Sequence, residues 1–237
     1  MTKKNSKRIV QNRPSVKDLT VLKHLNPESE ELFIEAFTHS SYANEYSCPN
    51  NERLEFLGDS VLSLIVVSFL FAKFPHYNEG QLSKLKSVIV SAPFLAEFSR
   101  EIQLDHHLLL GEGEIKNNGR NKLNIQADLF EAFLGAFYLN FGLEITTQMV
   151  LPFVEKILPE VMNRYHEIDA TPNLHEVTQA VGLTPVYQTV KIEGPPHERF
   201  FTVEVLIQDR VIGSGEGSSL KEAENKAAVD GLKHLKQ

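Results

Sequence analysis

Asn51-Glu52-Arg53-Leu54-Glu55-Phe56-Leu57-Gly58-Asp59-Ser60-Val61-Leu62 is the stretch on which the reading of the whole chain turns. At about 100° per residue on a helix, Glu55 and Asp59 follow Glu52 by three and seven positions, so three carboxylates share one narrow face. Leu54, Leu57, Val61 and Leu62 supply a buried side, and the apolar pattern continues far enough to predict a helix over 52–74. A second predicted helix, 124–141, carries Asp128 and Glu131 one turn apart among Leu129, Phe130, Phe133, Leu134 and Phe137.

Acids on a helix ordinarily mark a solvated face. Here they project from core-like helices, where several carboxylates repel one another unless a cation sits among them. Oxygen donors without His or Cys suit Mg²⁺ or Mn²⁺ rather than Zn²⁺. A hard cation held by a few carboxylates serves phosphoryl chemistry, because it acidifies a water and clamps the oxygens of a phosphodiester.

Outward from these two segments the pattern stays helical, with further helices predicted over 32–39, 80–91, 94–102 and 146–164. Breakers separate them: Cys48-Pro49-Asn50-Asn51, Pro75-His76-Tyr77-Asn78, Ser91-Ala92-Pro93 and the polar stretch 111–122, read as a loop. This predicts one all-α domain over 18–168. A polar segment with Pro172 then suggests a short linker near 168–171. After it come a short helix at 174–181, strands at 186–192, 200–208 and 210–213, and a helix at 220–236 with a stripe of Ala223, Ala227, Ala228 and Leu232. Residues 169–237 thus form an α-β-β-β-α domain. Gly213-Ser214-Gly215-Glu216-Gly217 lacks a surrounding βαβ unit, so a tight turn is expected there rather than a dinucleotide loop.

The composition narrows the function classes. With 237 residues, 42% hydrophobic, the chain can build real cores. The longest uncharged apolar stretch, 61–72, is interrupted by Ser63 and Ser68 and falls short of the roughly 20 residues that span a bilayer. No membrane span and no secretory signal are expected. The single cysteine, Cys48, forms no internal disulfide and no Cys/His zinc cluster, which suits a reducing, cytoplasmic setting. The formal charge of -7 argues against a nucleic-acid partner until its distribution is considered. Residues 1–17 hold Lys3, Lys4, Lys7, Arg8, Arg13 and Lys17 and no acid, a basic arm that is either simply solvated or a phosphate contact.

Asn51 to Leu62 resembles the signature helix of bacterial ribonuclease III. Thr38-His39-Ser40-Ser41-Tyr42 before it and Ala127-Asp128-Leu129-Phe130-Glu131-Ala132-Phe133-Leu134-Gly135-Ala136 after it match in order and approximate spacing. The tail, with Gly194-Pro195-Pro196-His197, the glycines at 213–217 and Lys221-Glu222-Ala223-Glu224, is similar to a double-stranded-RNA-binding domain. The resemblance implies a homodimeric, double-strand-specific endoribonuclease dependent on Mg²⁺, with Mn²⁺ as a substitute, and no small-molecule cofactor. Its products would carry 5′-phosphate and 3′-hydroxyl ends with a two-nucleotide 3′ overhang, and its substrates would include ribosomal RNA precursors and other structured transcripts. By the same resemblance Glu55, Asp59, Asp128 and Glu131 are the metal ligands, with Asp59 and Glu131 catalytic and Glu131 the most direct ligand. Glu52 and Glu79 would line the same cleft. Phe56 would pack into the partner subunit, a core position being its competing reading. His175, Glu176, His197 and Lys221 would contact RNA.

The chain departs from the family in places. Residues 171–237 hold seven basic and nine acidic side chains, net -2, where such domains are usually basic. Thr171-Pro172 and His175 replace a common Lys-Thr and Gln, and Ser218, Leu220 and Lys221 stand where two or three lysines usually open the last helix. Leu123 and Gln126 replace a Glu and an apolar residue. His39 reads as a structural hydrogen-bonder, His106-His107 as an exposed loop or helix end, Cys48 as a loop thiol, and Ser60 lacks a nucleophile elbow. A non-cleaving duplex-RNA binder of the same fold, or a metal enzyme acting on small phosphates or DNA, are the alternatives. Loss of a metal carboxylate would favour the first, and none is lost.

Overall fold

The computed structural model describes residues 19–22, 25–168, 170–195 and 198–235. The basic arm at 1–17 and His197 lie outside the described residues. The chain divides into two compact units that change over between Leu158 and Pro159.

The first unit is helical, as expected. It contains α1 (Glu30–Ala36), α2 (Ser40–Tyr46), α3 (Glu52–Lys73), α4 (Glu79–Ile89), α5 (Ala92–Glu101), α6 (Glu112–Lys116) and the larger part of α7 (Leu123–Ile168). The predicted helix at 32–39 instead ends at Ala36. Thr38 becomes extended and pairs with Leu109 in a parallel bridge, and His39 caps α2, a seven-residue helix too short to show periodicity. The polar stretch at 111–122 is not a plain loop: it holds α6 and a 3₁₀ turn at Gly119–Asn121. Gly111 N–H donates to Ser41 Oγ at 2.9 Å and Glu112 N–H to Glu45 Oε1 at 2.8 Å, tertiary ties that local sequence does not announce. The two helices predicted at 124–141 and 146–164 meet within α7 at Gly142, whose φ of 74° breaks the helical path.

The buried stripe of α3 is Leu54, Gly58, Val61, Leu62, Ile65, Val66 and Leu70, and Glu52 and Glu55 in its first turn favour the positive end of the helix dipole. The core around it is aromatic: Phe33 and Phe133 rings lie 5.5 Å apart, and Phe133 and Phe137 5.7 Å. By length and composition α3 could cross a bilayer. That exceeds the sequence expectation, because the helix extends the apolar stretch at both ends. Its buried stripe packs within this unit as a core helix does.

In the second unit α8 (Ala170–Gln179) precedes β1 (Val186–Glu193), β2 (Phe200–Ile207), β3 (Arg210–Gly217) and α9 (Leu220–Leu235). Within the expected linker at 168–171, α7 runs to Ile168 and α8 begins at Ala170. Pro172 sits in the first turn of α8, where its missing N–H costs nothing. The antiparallel sheet has order β1-β2-β3, with a bulge between Thr189 and Lys191. Gly213, Gly215 and Gly217 are not a turn but alternate residues of β3, all buried against α9. A Cβ on Gly215 would overlap the Ala223 and Ala227 backbone, so period-2 glycines and the small Ala223, Ala227 and Ala228 together let helix and sheet approach closely.

Candidate metal centre

Two helices build the acidic cluster. Gly58 of α3 lies against the Glu131 carbonyl of α7, and Gly135 lies against the Leu54 carbonyl, with no room for a Cβ at either place. The helices therefore touch backbone to backbone, and the acids flanking that contact converge. One carboxylate oxygen from each of Glu55, Asp128 and Glu131 lies within 4.8 Å of the other two. Mg²⁺ holds oxygens at about 2.0–2.1 Å, which puts neighbouring ligand oxygens roughly 3–4 Å apart. The three donors need to close only slightly, and all are hard oxygens.

The electrostatics suit a cation among these acids. Glu131 is pushed up to about 8, first by burial and then by Asp59, Glu55 and Asp128. Glu55 is raised by burial and then by Asp128, Glu52 and Asp59. Asp128 is raised by burial, and the His39 imidazole opposes that rise. None of these acids has an ion-pair partner among the described residues. Buried like charges without a counter-ion are costly, and a divalent cation removes that cost.

The remaining expected residues are distributed around this trio. Asp59 is exposed, outside the 4.8 Å group, yet it is the strongest charge acting on Glu131. Glu52 is exposed and acts on Glu55. Glu79 opens α4, is exposed, accepts a hydrogen bond from Ser83 Oγ at 2.8 Å, and does not join the cluster. Gln126, the departure two residues before Asp128, is fully buried and satisfied: Ser99 Oγ donates to its Oε1 at 2.7 Å, and its Nε2 donates to the Arg120 carbonyl at 2.6 Å.

Sequence reasoning missed Gly58 and Gly135. Glycine within a helix costs about 1 kcal/mol relative to alanine, and its place beside metal-type acids was the available signal.

Phe56 is 79% exposed, which contradicts its core reading. Leu64, Val67 and Phe71 are also exposed, and by helical geometry they share about an 80° arc with Phe56. In the second unit, His175 and Glu176 are exposed on α8, and Lys221 is exposed at the second residue of α9. Leu220, its first residue, is 42% exposed rather than buried in the core. Lys226 pairs with Glu222 at 2.8 Å and Lys191 with Glu193 at 2.9 Å, so two of the scarce cations there are already engaged.

Comparison with known proteins gives the family. Residues 29–160 match a ribonuclease-III-like family, and 172–235 match the double-stranded RNA binding motif. The chain is 43% identical over 215 residues to ribonuclease 3 of Bacillus cereus (strain G9842), covering 88% of this chain and 86% of that protein. The chain belongs to the ribonuclease III family. Ribonuclease 3 of Borreliella afzelii (strain PKo) is likewise 43% identical, over 208 residues, with 86% of this chain and 85% of that protein covered. A crystal structure of the nuclease domain of ribonuclease III from Campylobacter jejuni is 37% identical, with a TM-score of 0.54 over 61% of this chain and 98% of that one. A second structure of that domain, 38% identical with a TM-score of 0.54 over 59% of this chain and 96% of that one, concerns flexibility in its region involved in dimer formation. As a ribonuclease III-type endoribonuclease, the chain pairs a helical nuclease domain with an α-β-β-β-α RNA-binding motif.

Proposed function

We propose that this protein hydrolyses phosphodiesters of double-stranded RNA with Mg²⁺, or Mn²⁺ in its place, at the cluster on α3 and α7. The observation that carries the reading is the convergence of Glu55, Asp128 and Glu131 from two helices pressed together at Gly58 and Gly135. Those three carboxylates would hold the cation, which when bound lowers the pKa of a water and offsets charge on the phosphate. Asp59, exposed beside Glu131, orients the attacking water and takes up its proton. The water oxygen bonds to phosphorus as the bond to the 3′ oxygen breaks, and that oxygen takes a proton from solvent water, leaving 5′-phosphate and 3′-hydroxyl ends. Glu52 and Glu79 extend the acidic edge toward the RNA.

The active form we propose is a homodimer joined through the exposed α3 stripe, with Phe56 set into the partner and one site per strand. Two such cuts, offset across the duplex, give the two-nucleotide 3′ overhang. Residues 18–168 serve as the catalytic domain and 169–237 as the RNA-binding domain, in which His175, Glu176, His197 and Lys221 touch the duplex. A-form RNA read by shape, 2′-hydroxyls and phosphates suits such a surface. The arm at 1–17 adds phosphate contacts. Precursors of ribosomal RNA and other structured transcripts in the cytoplasm are the substrates this reading assigns.

Incubation with duplex RNA, single-stranded RNA and duplex DNA, with and without Mg²⁺, tests the proposal. Cleavage confined to duplex RNA with Mg²⁺ supports it. Cleavage of all three, or of none, overturns it.

A further inference from the structure

Asp128 is anchored differently from the other two acids of the trio. The glycine contact presses Gly58 against Glu131 and Gly135 against Leu54, so it holds Glu131 itself and, one residue beyond Leu54, Glu55. Asp128 lies one turn outside that contact, toward the start of α7, where Leu123 and Asn124 are exposed. Its place therefore depends on what holds the first turn of this helix.

Gln126 and Arg120 hold it. Both ends of the buried Gln126 amide are engaged: Oε1 accepts the hydroxyl of Ser99, on α5, at 2.7 Å, and Nε2 donates to the Arg120 carbonyl at 2.6 Å. The Arg120 guanidinium turns the other way and donates to the carbonyls of Asp105 and, at 2.8 Å, Leu108. Next along the chain, Leu109 N–H donates to the Phe37 carbonyl at 2.8 Å, and the Leu109 carbonyl accepts His39 N–H at 3.1 Å. Between those two bonds, the carbonyl of buried Thr38 accepts the N–H of buried Asn51 at 2.9 Å. The Asn51 carbonyl in turn accepts Glu55 N–H at 2.9 Å, in the first turn of α3. A continuous strut of backbone and hydrogen bonds thus runs from the start of α7 to the start of α3, with Asp128 just past one end and Glu55 at the other. Arg120 is its middle joint, and Gln126, in place of the apolar residue common there, closes it on α7.

We propose that Arg120 is a positioning residue of the metal centre: gripping the Asp105 and Leu108 carbonyls on one side and Gln126 on the other, it sets Asp128 against Glu55 at the spacing one cation needs. The inference rests on the reading of these acids as a metal site. Ligand groups must be held to within about 0.5 Å by neighbours that are themselves locked in place. A fully satisfied polar network does this, and hydrogen bonds from a guanidinium are its strongest members. Loosening the strut lets Asp128 drift while the glycine contact keeps Glu131 and Glu55 together, and a cation with one ligand displaced is held less tightly.

Two substitutions separate this role from a general loss of stability. Arg120→Lys keeps the charge but lacks the planar fork that grips two carbonyls. Ser99→Ala removes a buried bond of the same network that lies outside the strut, and leaves Gln126 on Arg120. Mn²⁺ binding is measured in the full chain without RNA, by calorimetry and electron paramagnetic resonance, alongside thermal melts. Both variants should melt several degrees below the wild type. Only Arg120→Lys should bind Mn²⁺ more weakly, by about tenfold or more. If Arg120→Lys does not fold, Ser99→Ala combined with Gln126→Met breaks the strut at its other joint. Replacing both partners of a buried pair by apolar groups of similar shape is nearly neutral for stability, and the same loss of affinity is expected.

Wild-type affinity in folded Arg120→Lys or in the double variant, or an equal loss in Ser99→Ala, overturns the positioning role and leaves the metal-site reading standing. Absence of Mn²⁺ binding by the wild type overturns both.

Discussion

Gly58 and Glu131 meet backbone to backbone: a Cβ on Gly58 would overlap the Glu131 carbonyl oxygen. The carbonyl belongs to the residue whose carboxylate completes the cluster, so helix packing and site geometry share one contact. Gly58→Ala should push α3 and α7 apart. Overpacking of this kind costs typically 1–3 kcal/mol. The variant should melt several degrees lower and lose the thermal upshift that Mn²⁺ gives the wild type. A variant with unchanged Mn²⁺ response would show that the close approach is not what assembles the trio.

The raised Glu131 carboxyl gives a pH dependence with a defined sign. Its folded pKa of about 8 exceeds the ordinary value of 4.5, so the folded metal-free protein retains a proton that the unfolded chain has lost. Stability from this group is therefore full below about 4.5 and declines as pH rises through 4.5 to 8. Glu55 and Asp128 shift in the same direction. Thermal melts without metal should fall across that window, and saturating Mg²⁺ should flatten the fall. Glu131→Gln should melt higher than the metal-free wild type at the alkaline end. A wild-type melting temperature that climbs through the window contradicts the crowding argument.

Phe56 tests the dimer. An exposed ring in line with Leu64, Val67 and Phe71 can anchor an interface, where a buried aromatic contributes a few kcal/mol. Sedimentation of Phe56→Ala should show dissociation at concentrations where the wild type is dimeric, with the fold intact because the ring packs on nothing in its own chain's core. A wild type that sediments as a monomer at micromolar concentration removes the basis for the interface.

Leu220 opens α9 beside the exposed Lys221. In a Glu131→Gln background that prevents cleavage, Leu220→Lys should tighten duplex RNA binding. It should also steepen the salt dependence by about 0.7–0.9 of a logarithmic unit, one phosphate contact. An unchanged slope in a folded variant would mean that this end of α9 does not face the phosphates.

Long amphipathic elements were legible in the sequence, and short or tertiary ones were not. The acids and apolar stripe of α3 announce themselves at the helical period, and the predicted helix over 52–74 differs from Glu52–Lys73 by one residue. α2 and α6 are held by the Ser41–Gly111 and Glu45–Glu112 bonds, which join residues about seventy positions apart. The glycines of β3 read as a turn because glycine usually punctuates chains; only the alanines of α9 opposite them explain a strand. In the site, residue types identified Glu55, Asp128 and Glu131. Glu79 came from the family resemblance alone, as a further acid lining the cleft, and within one chain it lies outside the cluster.

Cleavage by Glu131→Gln tests the central claim most directly. Single-turnover hydrolysis of a duplex RNA at saturating Mg²⁺ should fall by about three or more orders of magnitude, several kcal/mol of transition-state stabilisation, while duplex binding is retained. A folded variant that cleaves within tenfold of the wild type would contradict the assignment of the α3–α7 cluster as the hydrolytic centre.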